Sequence, residues 1–134
     1  MANLEVQPQV ARTNPCRVLL VDDDILTSMS TSDTLEDLGH QVVEARSAHR
    51  ALEILREGTP IDVVVTDQAM PGMTGTQLAA EIRASWPNLP IIVATGYAEL
   101  PAEGPLHLLH LVKPYLGPEL DKAIVSAVGV QARA

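Results

Sequence analysis

Aromatic residues are almost absent from this sequence, whose 134 residues include one Trp, two Tyr and no Phe. A folded core must therefore be built from aliphatic side chains. These are available, because hydrophobic residues of all kinds make up 46% of the chain. That content excludes an intrinsically disordered chain, which has too few apolar residues to form a core. The length fits one globular domain.

Cysteine and basic residues are also scarce. A single cysteine, Cys16, excludes both an internal disulfide and a metal cluster built on cysteines. Nine Lys and Arg stand against 17 Asp and Glu, and the resulting net charge of −8 would repel nucleic acid. No apolar run is long enough to cross a membrane, and residues 1–15 lack the features of a signal peptide. We therefore expect a cytoplasmic protein that contacts neither nucleic acid nor membrane.

Short apolar runs alternate with helical patterns over residues 17–128, between a polar leader at 1–16 and a tail at 129–134. The runs predict strands at 18–21, 41–45, 63–67, 89–94 and 108–112. Helical spacing of apolar residues predicts helices at 25–38, 48–55, 74–84 and 120–127. Two glycines and two prolines in 96–105 make any helix there short or irregular.

Strict alternation of strand and helix is typical of a doubly wound α/β fold, with a parallel sheet and helices on both of its faces. In such a sheet the carboxyl ends of the strands share one edge, where ligands bind. The polar residues that follow the predicted strands should meet there. They are Asp22, Asp23 and Asp24 after the first strand, Asp67 after the third, Thr95 after the fourth and Lys113 after the fifth.

A cluster of carboxylates at one edge favours binding of a cation, and ligand oxygens of this kind suit Mg²⁺. Asp67 beside such a cation is a candidate nucleophile that forms an aspartyl-phosphate. Lys113 would supply positive charge to the phosphoryl oxygens, and Thr95 a hydroxyl. Each residue also has a plain structural interpretation: Asp24 as a helix N-cap, Thr95 as a turn residue and Lys113 as a solvated lysine. Their convergence on one edge favours the functional interpretation for all but Asp24.

Several other residues carry structural predictions. Gly75 indicates a close approach of two backbone segments, and Lys113-Pro114 is a candidate cis peptide. Trp86, at the end of a predicted helix, is interpreted as a packing residue. His40 and His49 are expected at the surface, where neither has a partner at metal-ligand spacing.

Four motifs in order, VLLVDDD, TDQAMPGMTG, VATG and LVKPY, give residues 17–128 a strong resemblance to the receiver domains of bacterial two-component response regulators. The resemblance implies a flavodoxin-like fold of five parallel strands in the order 2-1-3-4-5. It implies a phosphoacceptor, Asp67, that takes a phosphoryl group from a phosphohistidine of a sensor histidine kinase or phosphotransfer protein. By the same resemblance, Asp22, Asp23, Asp67 and the backbone carbonyl of Ala69 bind Mg²⁺.

The resemblance also assigns Thr95 as a switch hydroxyl and Lys113 as the partner of the phosphoryl group. His110 stands where the family usually has Tyr or Phe, as a second switch residue. Such a chain is a switch and not a turnover enzyme, and we expect a monomer or weak dimer. Segment 96–105 departs from the family pattern and resembles that of receivers attached to hybrid sensor kinases and of some atypical stand-alone receivers. The alternatives are a binding module that is never phosphorylated, an aspartyl-phosphate hydrolase and, last, a flavodoxin-like nucleotide binder.

Overall fold

The computed structural model describes residues 15–96 and 108–133, without the side chains of 130–133. Five strands and four helices lie within these ranges. The strands are β1 (Arg17–Val21), β2 (Gln41–Ala45), β3 (Val63–Asp67), β4 (Ile91–Thr95) and β5 (Leu109–Val112). The helices are α1 (Ile25–Asp37), α2 (Ala48–Arg56), α3 (Gly75–Ser85) and α4 (Gly117–Arg133).

The strands form one parallel sheet in the order β2-β1-β3-β4-β5, which confirms the predicted order 2-1-3-4-5. The central strands are buried on both faces, as the β-branched run before Asp67 predicts for a parallel sheet covered by helices. The short or irregular helix predicted between β4 and β5 falls almost entirely on residues outside the described ranges. That prediction and the predicted domain boundaries stay untested.

Successive side chains of each strand point to opposite faces of the sheet, so the strands contribute to two separate aliphatic cores. On one face, Leu19, Val64 and Val93 pack with the buried residues of α2 and α3. On the other face, Leu20 and Val65 pack with Leu35, Leu111, Leu120 and Ile124, which α1, β5 and α4 contribute. The sheet is thus held between two helical layers without a large aromatic side chain among its fully buried residues.

The buried face of helix α1 contains only part of the residues whose helical spacing predicted the helix. Ile25 and Met29 belong to that spacing, but their exposed fractions are 56% and 54%, whereas Leu35 is buried. The buried residues of α1 include Ser28, Thr31 and Ser32. Ser28 donates to Glu44 Oε1 at 3.0 Å, so its hydroxyl is satisfied at the sheet edge. The helix therefore presents apolar side chains outward, because hydrogen bonds stabilise its polar inner face.

The surface prediction for His40 was wrong, whereas that for His49 is confirmed. His40 is 4% exposed, and its Nδ1 accepts a hydrogen bond from the backbone N–H of Cys16 at 3.0 Å. This bond joins the start of β1 to the start of β2, which gives the ring a structural role. Trp86 is half-buried and packs against the core on the α2 and α3 face, as predicted.

Candidate functional site

The site lies at the carboxyl edge of the sheet, where backbone hydrogen bonds hold several of its residues in position. The N–H of Asp22 donates to Ala45 O at 3.0 Å, which extends the β1 pairing one residue beyond the strand. The N–H of Lys113 donates to Thr95 O at 2.8 Å and extends the β5 pairing in the same way. Lys113-Pro114 is a cis peptide, as predicted. The pairing of the sheet therefore positions Asp22, Thr95 and Lys113.

Three carboxylates converge at this edge. One oxygen from each of Asp22, Asp23 and Asp67 lies within 4.8 Å of the others. Asp22 and Asp67 are buried, whereas Asp23 is exposed. Burial raises the pKa of the Asp22 carboxyl, the backbone N–H of Asp24 opposes that effect, and the negative charge of Asp67 adds to it. Since all three groups offer oxygen atoms, the cluster has the chemistry that Mg²⁺ prefers.

Asp24 stands apart from this cluster. It is the N-cap of α1, where Oδ1 accepts from the N–H of Leu26 at 3.2 Å and Oδ2 from the hydroxyl of Thr27 at 2.6 Å. The Thr27 hydroxyl is the main cause that holds the pKa of Asp24 below its usual value. The structural interpretation of Asp24 is therefore confirmed.

Lys113 reaches across the edge to Asp67, and its Nζ donates to Asp67 Oδ1 at 2.5 Å. Burial alone would lower the pKa of Lys113, but the hydrogen bond and charge of Asp67, with the charge of Asp22 and a smaller effect of Tyr115, leave it above its usual value. The ammonium group is therefore charged at neutral pH. The structure thus brings together a buried carboxylate, two more acidic groups and a fixed cation.

Thr95 and His110 lie on one face of the sheet. Val93 pairs with His110 and Thr95 pairs with Val112, so the two polar residues are diagonal neighbours on adjacent strands. Thr95 is fully buried, and His110 is half-buried. Within the described residues, neither Thr95 Oγ1 nor His110 Nε2 has a hydrogen-bond partner. An unsatisfied buried hydroxyl is costly and needs an explanation.

The loop after β3 is closed by tight backbone contacts. A Cβ at Gly75 would fall against Asp67 O and 3.1 Å from both the carbonyl carbon of Asp67 and Gln68 Cα, so the predicted close approach is confirmed. Gly72 has a φ of 84°, a left-handed conformation that favours glycine. Ala69, whose carbonyl the family resemblance implies as a metal ligand, is exposed in this loop.

Sequence reasoning assigned no role to Tyr115 or Thr31, which join α1 to the turn after β5. The Tyr115 hydroxyl and Thr31 Oγ1 are 3.2 Å apart and hydrogen-bonded, and burial raises the pKa of Tyr115. A groove of about 550 Å³ beside this pair is lined by Leu26, Lys113 and Leu116, among others. The weak signal in the sequence is Leu26 at the start of a predicted helix that is rich in Ser and Thr.

The fold, and the sequence that forms it, match a known family. Residues 18–105 match the family model described as response regulator receiver domain. The chain therefore belongs to the receiver domain family of two-component response regulators.

Relatives support the assignment. The chain is 42% identical over 83 residues, 61% of its length, to sensor kinase CckA of Brucella abortus, and 42% identical over 81 residues, 60% of its length, to response regulator protein FleR of Pseudomonas aeruginosa. It spans only 9% and 17% of these relatives. A receiver domain crystal structure from Clostridium thermocellum has a TM-score of 0.80 at 30% identity, covering 88% of this chain and 98% of that one. No α-helix in the described ranges has both the length and the hydropathy needed to cross a bilayer.

Proposed function

We propose that Asp67 accepts a phosphoryl group from a phosphohistidine of a sensor histidine kinase or histidine phosphotransfer protein. A carboxylate oxygen of Asp67 forms a bond to phosphorus while the P–N bond of phosphohistidine breaks, and the imidazole keeps the electron pair and takes up a proton. The product is an acyl phosphate on Asp67. The observation that carries this proposal is the short contact of Asp67 with Lys113 inside a group of three carboxylates.

Asp22, Asp23, Asp67 and the Ala69 carbonyl would hold Mg²⁺, which offsets negative charge on the phosphoryl oxygens when bound. Lys113 holds the Asp67 carboxylate and offers its remaining N–H groups to the phosphoryl group. Attack of water on phosphorus would later release phosphate and restore the carboxylate. The chain then acts as a switch that supports its own phosphorylation and dephosphorylation. We place this exchange in the cytoplasm, where ATP supplies the kinase.

Thr95 and His110 would report phosphorylation to the surface. The Thr95 hydroxyl, which lacks a partner in the described part of the chain, would donate to a phosphoryl oxygen. Its movement would leave space beside β5 that the His110 ring can occupy. Phosphorylation would thus shift a conformational equilibrium, because the hydroxyl gains a partner in one state alone.

A titration with beryllofluoride and Mg²⁺, a stable mimic of the phosphoryl group, tests this proposal by NMR. We expect shifted amide signals at Asp67, Thr95 and Lys113. Thr95→Val keeps the size but removes the hydroxyl, and should weaken beryllofluoride binding about 10- to 100-fold, as expected for one hydrogen bond to a charged group. Thr59→Val, in the loop after α2, is the matched control and should bind normally. No shift at Asp67 in the wild type would favour a binding module that is never phosphorylated.

The apolar outer face of α1 fits the protein donor. Ile25, Leu26 and Met29 are exposed, with Leu26 at 76%, and Leu116 across the groove is 72% exposed. Leu26 and Leu116 line the same groove as Lys113, whose Nζ bonds to Asp67, so a protein that brings a phosphohistidine to Asp67 would approach beside them. Apolar patches beside a reactive site are typical of protein docking surfaces. We propose that the donor packs an apolar surface against α1 here.

Leu26→Ser should slow phosphoryl transfer from the protein donor on the order of tenfold, the effect of losing a contact worth over 1 kcal/mol. Transfer from acetyl phosphate, which needs no docking surface, should keep its rate. The control is Ala84→Ser, an exposed substitution on α3 at the other face of the sheet. Equal slowing with both donors would place the effect of Leu26 at the chemistry and contradict the docking surface.

A further inference from the structure

Gln68, directly after Asp67, is hydrogen-bonded through its backbone and its side chain. Its N–H donates to Ala94 O at 2.9 Å, and its carbonyl accepts from the N–H of Gly75 at 3.0 Å. Its side-chain Oε1 accepts from both the N–H and the hydroxyl of Thr76, at 2.8 and 2.9 Å. One residue therefore joins the end of β3 to β4 on one side and to the first turn of α3 on the other.

These bonds satisfy two of the N–H groups that the start of a helix leaves without intrahelical partners. Gly75 and Thr76 are the first two residues of α3, and both N–H groups donate to Gln68. The next N–H, from Gln77, donates to the N-cap residue Thr74 at 3.1 Å. The side chain of Gln77 in turn accepts from the N–H of Thr74 at 2.9 Å, which completes a capping box.

The same contacts close the loop that contains Ala69. Since Gly75 lies against the carbonyl of Asp67 and bonds to that of Gln68, the start of α3 and the end of β3 form one rigid contact. Ala69 is the first loop residue beyond this contact. The peptide plane that joins Gln68 to Ala69 carries the Gln68 carbonyl and the Ala69 N–H. The bond of that carbonyl to Gly75 therefore fixes the point from which the Ala69 carbonyl, in the next peptide plane, projects.

We propose that Gln68 is a positioning residue for the cation at the phosphorylation site: its bonds to Thr76 fix the loop so that the Ala69 carbonyl faces the acidic group. Gln68 does not touch the reacting atoms and acts through the backbone of Ala69. Residues that orient metal ligands commonly affect metal affinity strongly. The inference rests on the proposed function for the identity of the cation, but the behaviour of the loop is independent of phosphorylation.

Gln68→Leu tests the proposal, because leucine removes the carbonyl and keeps similar bulk. We expect Mg²⁺ affinity, measured by NMR titration of the wild type and variant without any phosphodonor, to fall about tenfold or more. Amide hydrogen exchange in 69–73 should be faster in the metal-free variant. Thr76→Ser keeps both donors to Gln68 and should behave as wild type.

Gln77→Leu is the matched control for stability. It removes one hydrogen bond from the same helix end, on the Thr74 side and not the Asp67 side, so it should lower the free energy of unfolding and leave Mg²⁺ affinity unchanged. Equal Mg²⁺ affinity in Gln68→Leu and wild type, or equal weakening in both variants, would overturn the proposal. A wild type that binds Mg²⁺ but accepts no phosphoryl group would refute the proposed function and leave this inference standing.

Discussion

Asp67→Asn is expected to abolish phosphoryl acceptance. Asparagine keeps the size of the side chain and an oxygen that can accept from Lys113 Nζ, so the fold and this contact should be retained. The amide oxygen is neutral and a far weaker nucleophile than a carboxylate, so no acyl phosphate can form there. The loss should therefore be complete, whether the donor is acetyl phosphate or a phosphohistidine protein.

Intact-mass measurement after incubation with acetyl phosphate and Mg²⁺ checks this expectation. The wild type should gain one phosphoryl group that neutral hydroxylamine removes, as it does from acyl phosphates and not from phosphoesters. Asp37→Asn, an exposed aspartate at the end of α1, is the control and should be modified like the wild type. Normal modification of Asp67→Asn, or a label that resists hydroxylamine, would place the phosphoryl group on another residue.

Much of the fold follows from local pattern. The run before Asp67 is β-branched and apolar, which suits a strand with helices on both sides, and β3 lies there as predicted. Alternation of strands and helices then determines the edge on which Asp22, Asp67 and Lys113 meet. Topology alone was enough to predict that these residues lie close together, because the carboxyl ends of all strands in a parallel sheet lie at the same edge.

Other features depended on contacts that periodicity does not encode. Ser28 and Thr31 are buried because Glu44 and Tyr115, distant in sequence, satisfy their hydroxyls. A helical pattern based on hydrophobicity therefore predicts the helix α1 but not the burial of these two polar residues. His40 is buried for a similar reason, since the N–H of Cys16 donates to its ring.

The role of Gln68 was also beyond a sequence pattern. A glutamine after an aspartate has no structural signature of its own, and its bonds to Thr76 form only once the loop returns to the end of β3. The close approach at Gly75 was predictable, because a glycine in such a turn commonly marks contact between backbones. Which residue secures that contact was decided by the geometry of the loop.

Lys113→Met is expected to slow phosphoryl acceptance by about 100-fold or more, the usual effect of removing one preorganised group that stabilises transition-state charge. Methionine has similar length but no charge, so Asp67 would lose the donor on Oδ1 and face the charges of Asp22 and Asp23 without it. The pKa of Lys113 lies above its usual value, because the hydrogen bond and charge of Asp67, with the charge of Asp22 and a smaller effect of Tyr115, outweigh burial. The ammonium is therefore fully present at neutral pH, and its removal should matter across that range.

The rate of acyl-phosphate formation from acetyl phosphate, measured at saturating Mg²⁺, checks this effect. Lys113→Arg keeps the positive charge on a planar group that cannot place its donors in the same way, so it should restore the rate only in part. Lys122→Met removes an exposed lysine of α4 and should leave the rate unchanged. If Lys122→Met slowed the reaction as much as Lys113→Met, the loss would be explained by weaker attraction of the anionic acetyl phosphate to the protein as a whole, and not by the position of Lys113. If Lys113→Met reacted like the wild type, the Lys113 ammonium group would have a structural role alone.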